Sequence, residues 1–365
     1  MNPHMRRSRA LATFAALCAV SMPAAAEPAR LPALNVDIGK TSVSGVSSGG
    51  YMAVQFEVAH SSIVVGAGII AGGPYFCAQA DVDRATTVCS CTSWTSALCR
   101  NADGATDVAA LIRLTERNER DKSIDPTANL ARHRVFLFSG KLDQKVPAPV
   151  MRDLQRYYQR FIAPAAIRLV ADMPANHAMP TLSFGNACDS SEHPYINRCR
   201  YDAAGEALNW IYPGLHPRRQ GARAGKLVQF DQSQFLAAPA SHGLDTSGWV
   251  YLPSRCSAGQ PCRLHVAFHG CQQGQSFRRF ALPWLPFGPP FGDAFVQHAG
   301  YNEWADTNDI VVLYPQAVTT VANPKGCWDW WGYDDASYAT RKGRQIAAVR
   351  AMVDRIAGGQ RQAQQ

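Results

Sequence analysis

The sequence holds no apolar run long enough to cross a bilayer as a helix, which takes about 20 residues; membrane-spanning helices are excluded. It also has no internal repeat, heptad run or low-complexity linker, which excludes solenoids, coiled coils and flexibly tethered modules. Beyond residue 26, lysine and arginine never gather into a basic run. The formal charge of +8 falls to +5 once Arg6, Arg7 and Arg9 are set aside. That balance is a mild surface property, and no nucleic-acid partner is expected. The cysteines lack the paired C-x-x-C spacing of zinc sites, so no metal is expected, and no cofactor motif stands in its place.

What is present begins with a leader. Residues 1–26 carry Arg6, Arg7 and Arg9, an apolar run from Ala10 to Val20, and Ala24-Ala25-Ala26 as a small-residue cleavage site. This is the pattern of a secretory signal peptide. Leu17 before Cys18 is too large for a lipoprotein cleavage site, so no lipid anchor is expected. The Arg6-Arg7 pair raises the twin-arginine route, but an ordinary export route is favoured, because the disulfides would form after export. The remaining 339 of 365 residues suit one large domain or two ordinary ones.

Of the 11 cysteines, Cys18 leaves with the leader, and ten remain in an exported chain. Five disulfides are therefore expected. Cys188 with Cys199 and Cys256 with Cys262 are close enough to staple local loops. Cys77, Cys89, Cys91 and Cys99 pair among themselves, which leaves Cys271 for Cys327.

Short apolar runs predict strands at residues 40–44, 63–70, 134–138, 167–170, 227–230, 248–252, 263–268 and 310–314. Helices are expected at 50–60, 107–120, 147–161, 293–299 and 343–356. In the last of these, Ile346, Val349, Val353 and Ile356 share one face. Residues 185–225, rich in Gly, Pro, Asn and Cys, read as irregular, stapled surface. Strands alternating with helices predict an α/β fold with a mainly parallel sheet covered on both sides.

Gly45-Val46-Ser47-Ser48-Gly49 lies between a predicted strand and a predicted helix. This G-x-S-x-G pattern is that of a nucleophile elbow, which lifts the Ser47 hydroxyl above the sheet edge. A serine hydroxyl is a weak nucleophile at neutral pH and needs a base. In the alpha/beta-hydrolase arrangement the acid and the histidine follow the serine. Asp143 stands just after the strand ending at Phe138. His177 stands after the strand ending at Val170, with room for one helix and one strand between the two. A tetrahedral intermediate also needs two backbone N–H groups. One is Ser48 N–H. The other is assigned to Cys271 N–H in the loop Phe268-His269-Gly270-Cys271-Gln272-Gln273, with His269 orienting that loop. In the common chain order such a loop precedes the nucleophile, yet His269 follows Ser47 by 222 positions. Circular permutation is the simplest account: old ends joined, new ends opened just before the elbow strand.

Seven stretches carry a resemblance: residues 44–51, 139–143, 176–177, 269–272, 302–306, 312–315 and 326–331. Together they resemble the catalytic domain of polyhydroxybutyrate (PHB) depolymerases, and more narrowly the single-domain, circularly permuted type. The resemblance implies a secreted, periplasmic or extracellular, serine esterase acting on poly(3-hydroxybutyrate) or its oligomers as a monomer. It implies a triad of Ser47, Asp143 and His177, oxyanion donors at Ser48 and Cys271, and Trp328 lining a substrate cleft with His269 beside it. Residues 27–365 are then one catalytic domain without a separate polymer-binding module. Feruloyl and acetylxylan esterases share the His-Gly-Cys loop in unpermuted order and stay as rivals, as does a polymer-binding relative without catalysis. The proline-rich apolar segment 281–291 admits two readings, a rim that adsorbs to polyester or a loop packed on the core.

Overall fold

The computed structural model describes residues 29–102, 104–236, 242–279 and 288–363, with side chains described up to Gly359. The leader and residues 281–287 of the proline-rich segment lie outside the described residues. At the segment's far end, Phe291 is buried against the core.

The chain enters through β1 (Val36–Val46), whose residues 41–46 are all buried, and passes directly into α1 (Ser48–Ala59), which is buried on every side. Such a helix shows no amphipathic stripe, because both the sheet and the outer layers cover it. Then follow β2 (Val64–Ile70), the short α2 (Val82–Thr87), the amphipathic α3 (Val108–Arg120) and β3 (Arg134–Phe138). After α4 (Ala148–Gln159) and β4 (Ile167–Val170), three short strands form a small parallel sheet: β5 (Met179–Thr181), β6 (Asn186–Ala187) and β7 (Ile196–Arg198). The second half supplies α5 (Ala203–Ile211), β8 (Lys226–Asp231), β9 (Ser247–Leu252), α6 (Ser254–Ser257) and β10 (Cys262–Phe268). It ends with α7 (Ala294–His298), α8 (Tyr301–Asn308), β11 (Ile310–Tyr314) and α9 (Arg344–Ala363).

The eight long strands form one sheet in the order β4-β3-β2-β1-β10-β11-β9-β8. All neighbours are parallel except at β9, which runs antiparallel to both β11 and β8. Counted from β8 through β11 and then from β1 through β4, the order is 1-2-4-3-5-6-7-8 with the second strand reversed. That is the alpha/beta-hydrolase sheet, permuted: its first four strands come from the C-terminal half of the chain. β1 and β10 meet in register at Ser44 with Ala267 and Gly45 with Phe268, so the two halves are joined through the middle of the sheet. α9 packs beside the entry to β1, where Leu34 N–H donates to Ile356 O at 2.7 Å.

One departure from expectation lies in 185–225, which holds β6, β7 and α5 rather than only irregular chain. The helix α5 is built from small residues, and they let it lie close on the sheet: a Cβ added at Gly68 of β2 would come 2.7 Å from the Ala207 methyl. Asp202 caps it, its carboxylate accepting from Gly205 N–H at 2.9 Å.

The core also holds polar groups, of which His265 and Glu57 are well partnered. His265, mid-strand in β10, lies between Ser42 Oγ on Nδ1 and Ser44 Oγ on Nε2, both at 2.7 Å. Burial drives its pKa down to about 3, so it stays neutral. Glu57 of α1 is buried with His133 at 2.9 Å and accepts from the Tyr158 hydroxyl.

All five disulfides join the expected groups: Cys77–Cys89, Cys91–Cys99, Cys188–Cys199, Cys256–Cys262 and Cys271–Cys327. Bridges of this kind typically contribute about 2–4 kcal/mol each. No helix among the described residues is long and apolar enough to cross a membrane.

Candidate active site

Ser47 is the hinge between β1 and α1. Its backbone sits at φ 58°, ψ −124°, a region that non-glycine residues rarely enter. The flanking glycines make the turn possible. A Cβ at Gly45 would meet Gly49 O at 2.1 Å, and one at Gly49 would meet Phe268 O at 2.3 Å and His269 O at 2.4 Å. The elbow therefore presses directly on the loop that follows β10.

Asp143 and His177 follow β3 and β4, at the same carboxyl end of the sheet. Asp143 Oδ1 accepts from Lys145 N–H at 2.8 Å and Val146 N–H at 2.9 Å. Its Oδ2 lies 2.8 Å from His177 Nδ1, and His177 Nε2 lies 2.9 Å from Ser47 Oγ. A carboxylate only accepts, so Nδ1 carries the proton and Nε2 is left to accept from the serine hydroxyl. Asn176 holds the histidine loop: its Oδ1 accepts from His177 N–H at 2.8 Å, and its own N–H donates to Cys188 O at 2.9 Å. The Cys188–Cys199 staple and the small sheet thus support the imidazole.

The loop 268–273 is fixed from several directions. His269 is fully buried, donates from Nδ1 to Gly270 O at 2.7 Å and accepts at Nε2 from Ala317 N–H at 3.0 Å. Burial holds its pKa down at about 4, so this neutral tautomer persists. Gln273 accepts from Gly270 N–H at 2.7 Å and donates to Pro194 O and Tyr195 O, both at 3.0 Å. Gln272 N–H donates to Lys325 O at 2.7 Å, and Cys271 is bridged to Cys327. Ser48 N–H and Cys271 N–H donate to no acceptor among the described residues. Donors held still and left free suit a developing oxyanion.

The cleft in front of Ser47 has a volume of about 410 Å³. Trp328, expected along it, is fully buried instead. It packs edge-on against Phe268, and its Nε1 donates to His269 O at 2.9 Å, so it supports the loop from behind. His269, expected beside the substrate, is equally out of reach. Trp330 and Trp331 line the cleft in their place. Trp330 stacks on Tyr51 at 4.1 Å between ring centroids. Asp329 sets this arrangement: its buried carboxylate accepts from the N–H groups of Gly332, Tyr333, Asp334 and Asp335 and curls the chain after the tryptophans. Burial lifts Asp329 to about 6 even against those four donors. The sequence reading also passed over Tyr51, Gln273, Lys145 and Lys325. Tyr51, Gln273 and the tryptophans lay within motifs that could have pointed to them, whereas the two lysines did not. Among the described residues no cluster of side chains could hold a metal ion.

No protein-family model matches the chain. It is 41% identical over 360 residues to a poly(3-hydroxybutyrate) depolymerase of Delftia acidovorans, covering 97% of this chain and 66% of that protein. It is 36% identical over 345 residues to a polyhydroxybutyrate depolymerase of Talaromyces funiculosus, covering 90% of this chain and 93% of the relative. Two solved structures match in shape. One is a PHB depolymerase carrying a serine-to-alanine substitution and complexed with an R3HB trimer (TM-score 0.78, 35% identity, 90% of this chain and 99% of that one). The other is the crystal structure of PHB depolymerase from Penicillium funiculosum (TM-score 0.77, 34% identity, the same coverage). With sequence and shape agreeing over nine-tenths of its length, the chain belongs to the polyhydroxybutyrate depolymerase family.

Proposed function

We propose that the protein is a secreted serine esterase that hydrolyses poly(3-hydroxybutyrate) or its oligomers through an acyl-enzyme on Ser47, with residues 27–365 as the catalytic unit. The observation that carries this reading is the unbroken chain of contacts from Asp143 through His177 to Ser47 at the mouth of a tryptophan-lined cleft. His177 Nε2 takes the Ser47 proton as the oxygen attacks the ester carbonyl. Asp143 keeps the imidazole in the accepting tautomer and stabilises its charged form. Ser48 N–H and Cys271 N–H bind the oxyanion. The imidazolium returns its proton to the departing 3-hydroxyl, and water, deprotonated by the same nitrogen, releases the acid. Secretion accords with the leader-like N-terminus and the five disulfides.

Among the described residues, exposed apolar side chains around the cleft support contact with a water-insoluble polymer. Val82, which lines the cleft, is 60% exposed; Trp94, next to cleft-lining Ser93, is 91% exposed; and Val321, next to cleft-lining Ala322, is fully exposed. Exposed apolar groups of this size around a site suit adsorption to a polyester surface.

Purified protein on amorphous poly(3-hydroxybutyrate), with products identified by mass, tests the reading. Soluble 3-hydroxybutyrate oligomers or monomer are expected, and folded Ser47→Ala should lose several orders of magnitude in turnover. Undiminished hydrolysis by Ser47→Ala would refute the role of Ser47. Release of ferulate or acetate from polysaccharide, with no attack on the polyester, would move the substrate to the carbohydrate esterases.

A further inference from the structure

Two lysines line the same cleft as Ser47 and His177, in a pocket otherwise dominated by apolar and aromatic side chains. Lys145 is half-buried, two residues from Asp143, and its ammonium lies 4.8 Å from the centre of the Tyr195 ring. Lys325, which lines the same cleft, is exposed, and its carbonyl anchors the loop 268–273 through Gln272 N–H. Neither forms an ion pair among the described residues. The carboxylate facing Lys145 is that of Asp143, already engaged by His177 and two backbone N–H groups. Burial first, and then the like charge of Lys325, lower the pKa of Lys145. Two like charges gathered in a partly dry cleft are unfavourable until an anion joins them.

The interior of a polyester chain is neutral. Its one anionic group is the carboxylate at the chain end, which every released oligomer also bears. We propose that Lys145 and Lys325 form a subsite for the terminal carboxylate of 3-hydroxyacid oligomers, so that the enzyme favours short, free-acid chains and chain ends over neutral interior segments. This rests on the esterase reading above. Lys145 supplies the inner contact, steadied by the Tyr195 ring, and Lys325 draws the anion in from the mouth.

The test compares kcat/KM for the trimer of 3-hydroxybutyrate as free acid and as its methyl ester, which removes the charge and keeps the ester bonds. The unmutated protein is expected to prefer the free acid. Lys325→Met and Lys145→Met are each expected to lower the free-acid to methyl-ester ratio about threefold to tenfold, chiefly through KM, and added salt should lower it in the unmutated protein. A purely structural role for the lysines would depress both substrates alike and leave the ratio unmoved. Hydrolysis of both trimers at a ratio that neither substitution changes would overturn the proposal and leave the esterase reading standing. Hydrolysis of amorphous polymer but of neither trimer would overturn the proposal alone, and hydrolysis of none of the three by the unmutated protein would overturn both.

Discussion

Replacing Asp143 with asparagine removes one charge while keeping shape, and the structure dictates how the new amide must lie. Asp143 Oδ1 accepts two backbone N–H groups, from Lys145 at 2.8 Å and Val146 at 2.9 Å. Only the carbonyl oxygen of an asparagine can take that place. Its NH₂ is then turned toward His177 Nδ1, where the carboxylate oxygen stood at 2.8 Å. An amide N–H donates, so Nδ1 must accept and the ring proton moves to Nε2. That nitrogen faces Ser47 Oγ at 2.9 Å and could no longer take its proton. A reversed tautomer of this kind costs about 10⁴ in kcat, or about 5 kcal/mol of barrier. The loop keeps its two backbone hydrogen bonds, so the thermal midpoint should stay within a few degrees. Hydrolysis of a short p-nitrophenyl ester measures the rate, and ¹⁵N shifts of the His177 ring report the tautomer. An Asp143→Asn protein that folds normally and retains activity within tenfold would refute the reasoning, because the charge and tautomer would then be dispensable.

Gly49→Ala forces a methyl to within 2.4 Å of the Phe268 and His269 carbonyls, so the elbow and the donor loop must separate; the loss is expected in kcat, at about 10²–10³, the value of one misplaced oxyanion donor, and an unchanged kcat would show that the two segments move together freely. Acid should weaken the fold before carboxylates with ordinary pKa values protonate. His60 and His265 are held at about 3 and His269 at about 4, chiefly by burial, whereas an unfolded histidine titrates near 6.5. Folded pKa values below the unfolded ones mean that the unfolded chain binds more protons between these limits, so stability falls as pH drops from about 6.5 to 4.5. Each histidine loses about 2–3 kcal/mol there. Asp329, raised to about 6, works in the opposite direction and offsets about 2 kcal/mol of the total. Urea midpoints at pH 7, 5.5 and 4.5 should therefore decline, and a flat series would refute neutral burial of these rings.

Much of this site could be read in the chain because its parts sit where periodicity changes. β3, β4 and β11 begin and end at the residues expected from apolar run length alone, and Asp143 and His177 were found by their place just past such runs. Parity and spacing gave five disulfides and three of the pairings, whereas the connectivity among Cys77, Cys89, Cys91 and Cys99 came only from the structure. What escaped has a physical reason in each case. α5 was hidden because its Ala and Gly residues are chosen for close approach to β2 rather than for propensity or an apolar stripe. The tryptophan assignment failed at Trp328 because three indoles within four residues are apportioned between core and cleft by the turn around Asp329, which is set by backbone N–H groups invisible in side-chain identity. Lys145 and Lys325 are 180 positions apart, and nothing local marks either one.

The permutation is tolerated because the site depends on where strands end and not on the order in which they are made. Ser47 ends β1, the donor loop ends β10, and Asp143 and His177 follow β3 and β4. Four parallel strands thus deliver every group to one edge of the sheet. The 222 positions between Ser47 and His269 cost little more than a shorter connection would. Loop-closure entropy grows only logarithmically, by about 0.6 kcal/mol for each doubling of length. Against that stands the β1–β10 ladder, buried on both faces and continued by the packing of Phe56 and Trp328 around Phe268. The Cys271–Cys327 bridge lies wholly within the C-terminal half, so it stiffens the loop 268–273 without tying that loop to Ser47. The registration of Ser47 against Cys271 therefore rests on non-covalent packing between β1 and β10, and Gly49 lets the elbow approach the backbone of Phe268 and His269 more closely than any side chain would permit.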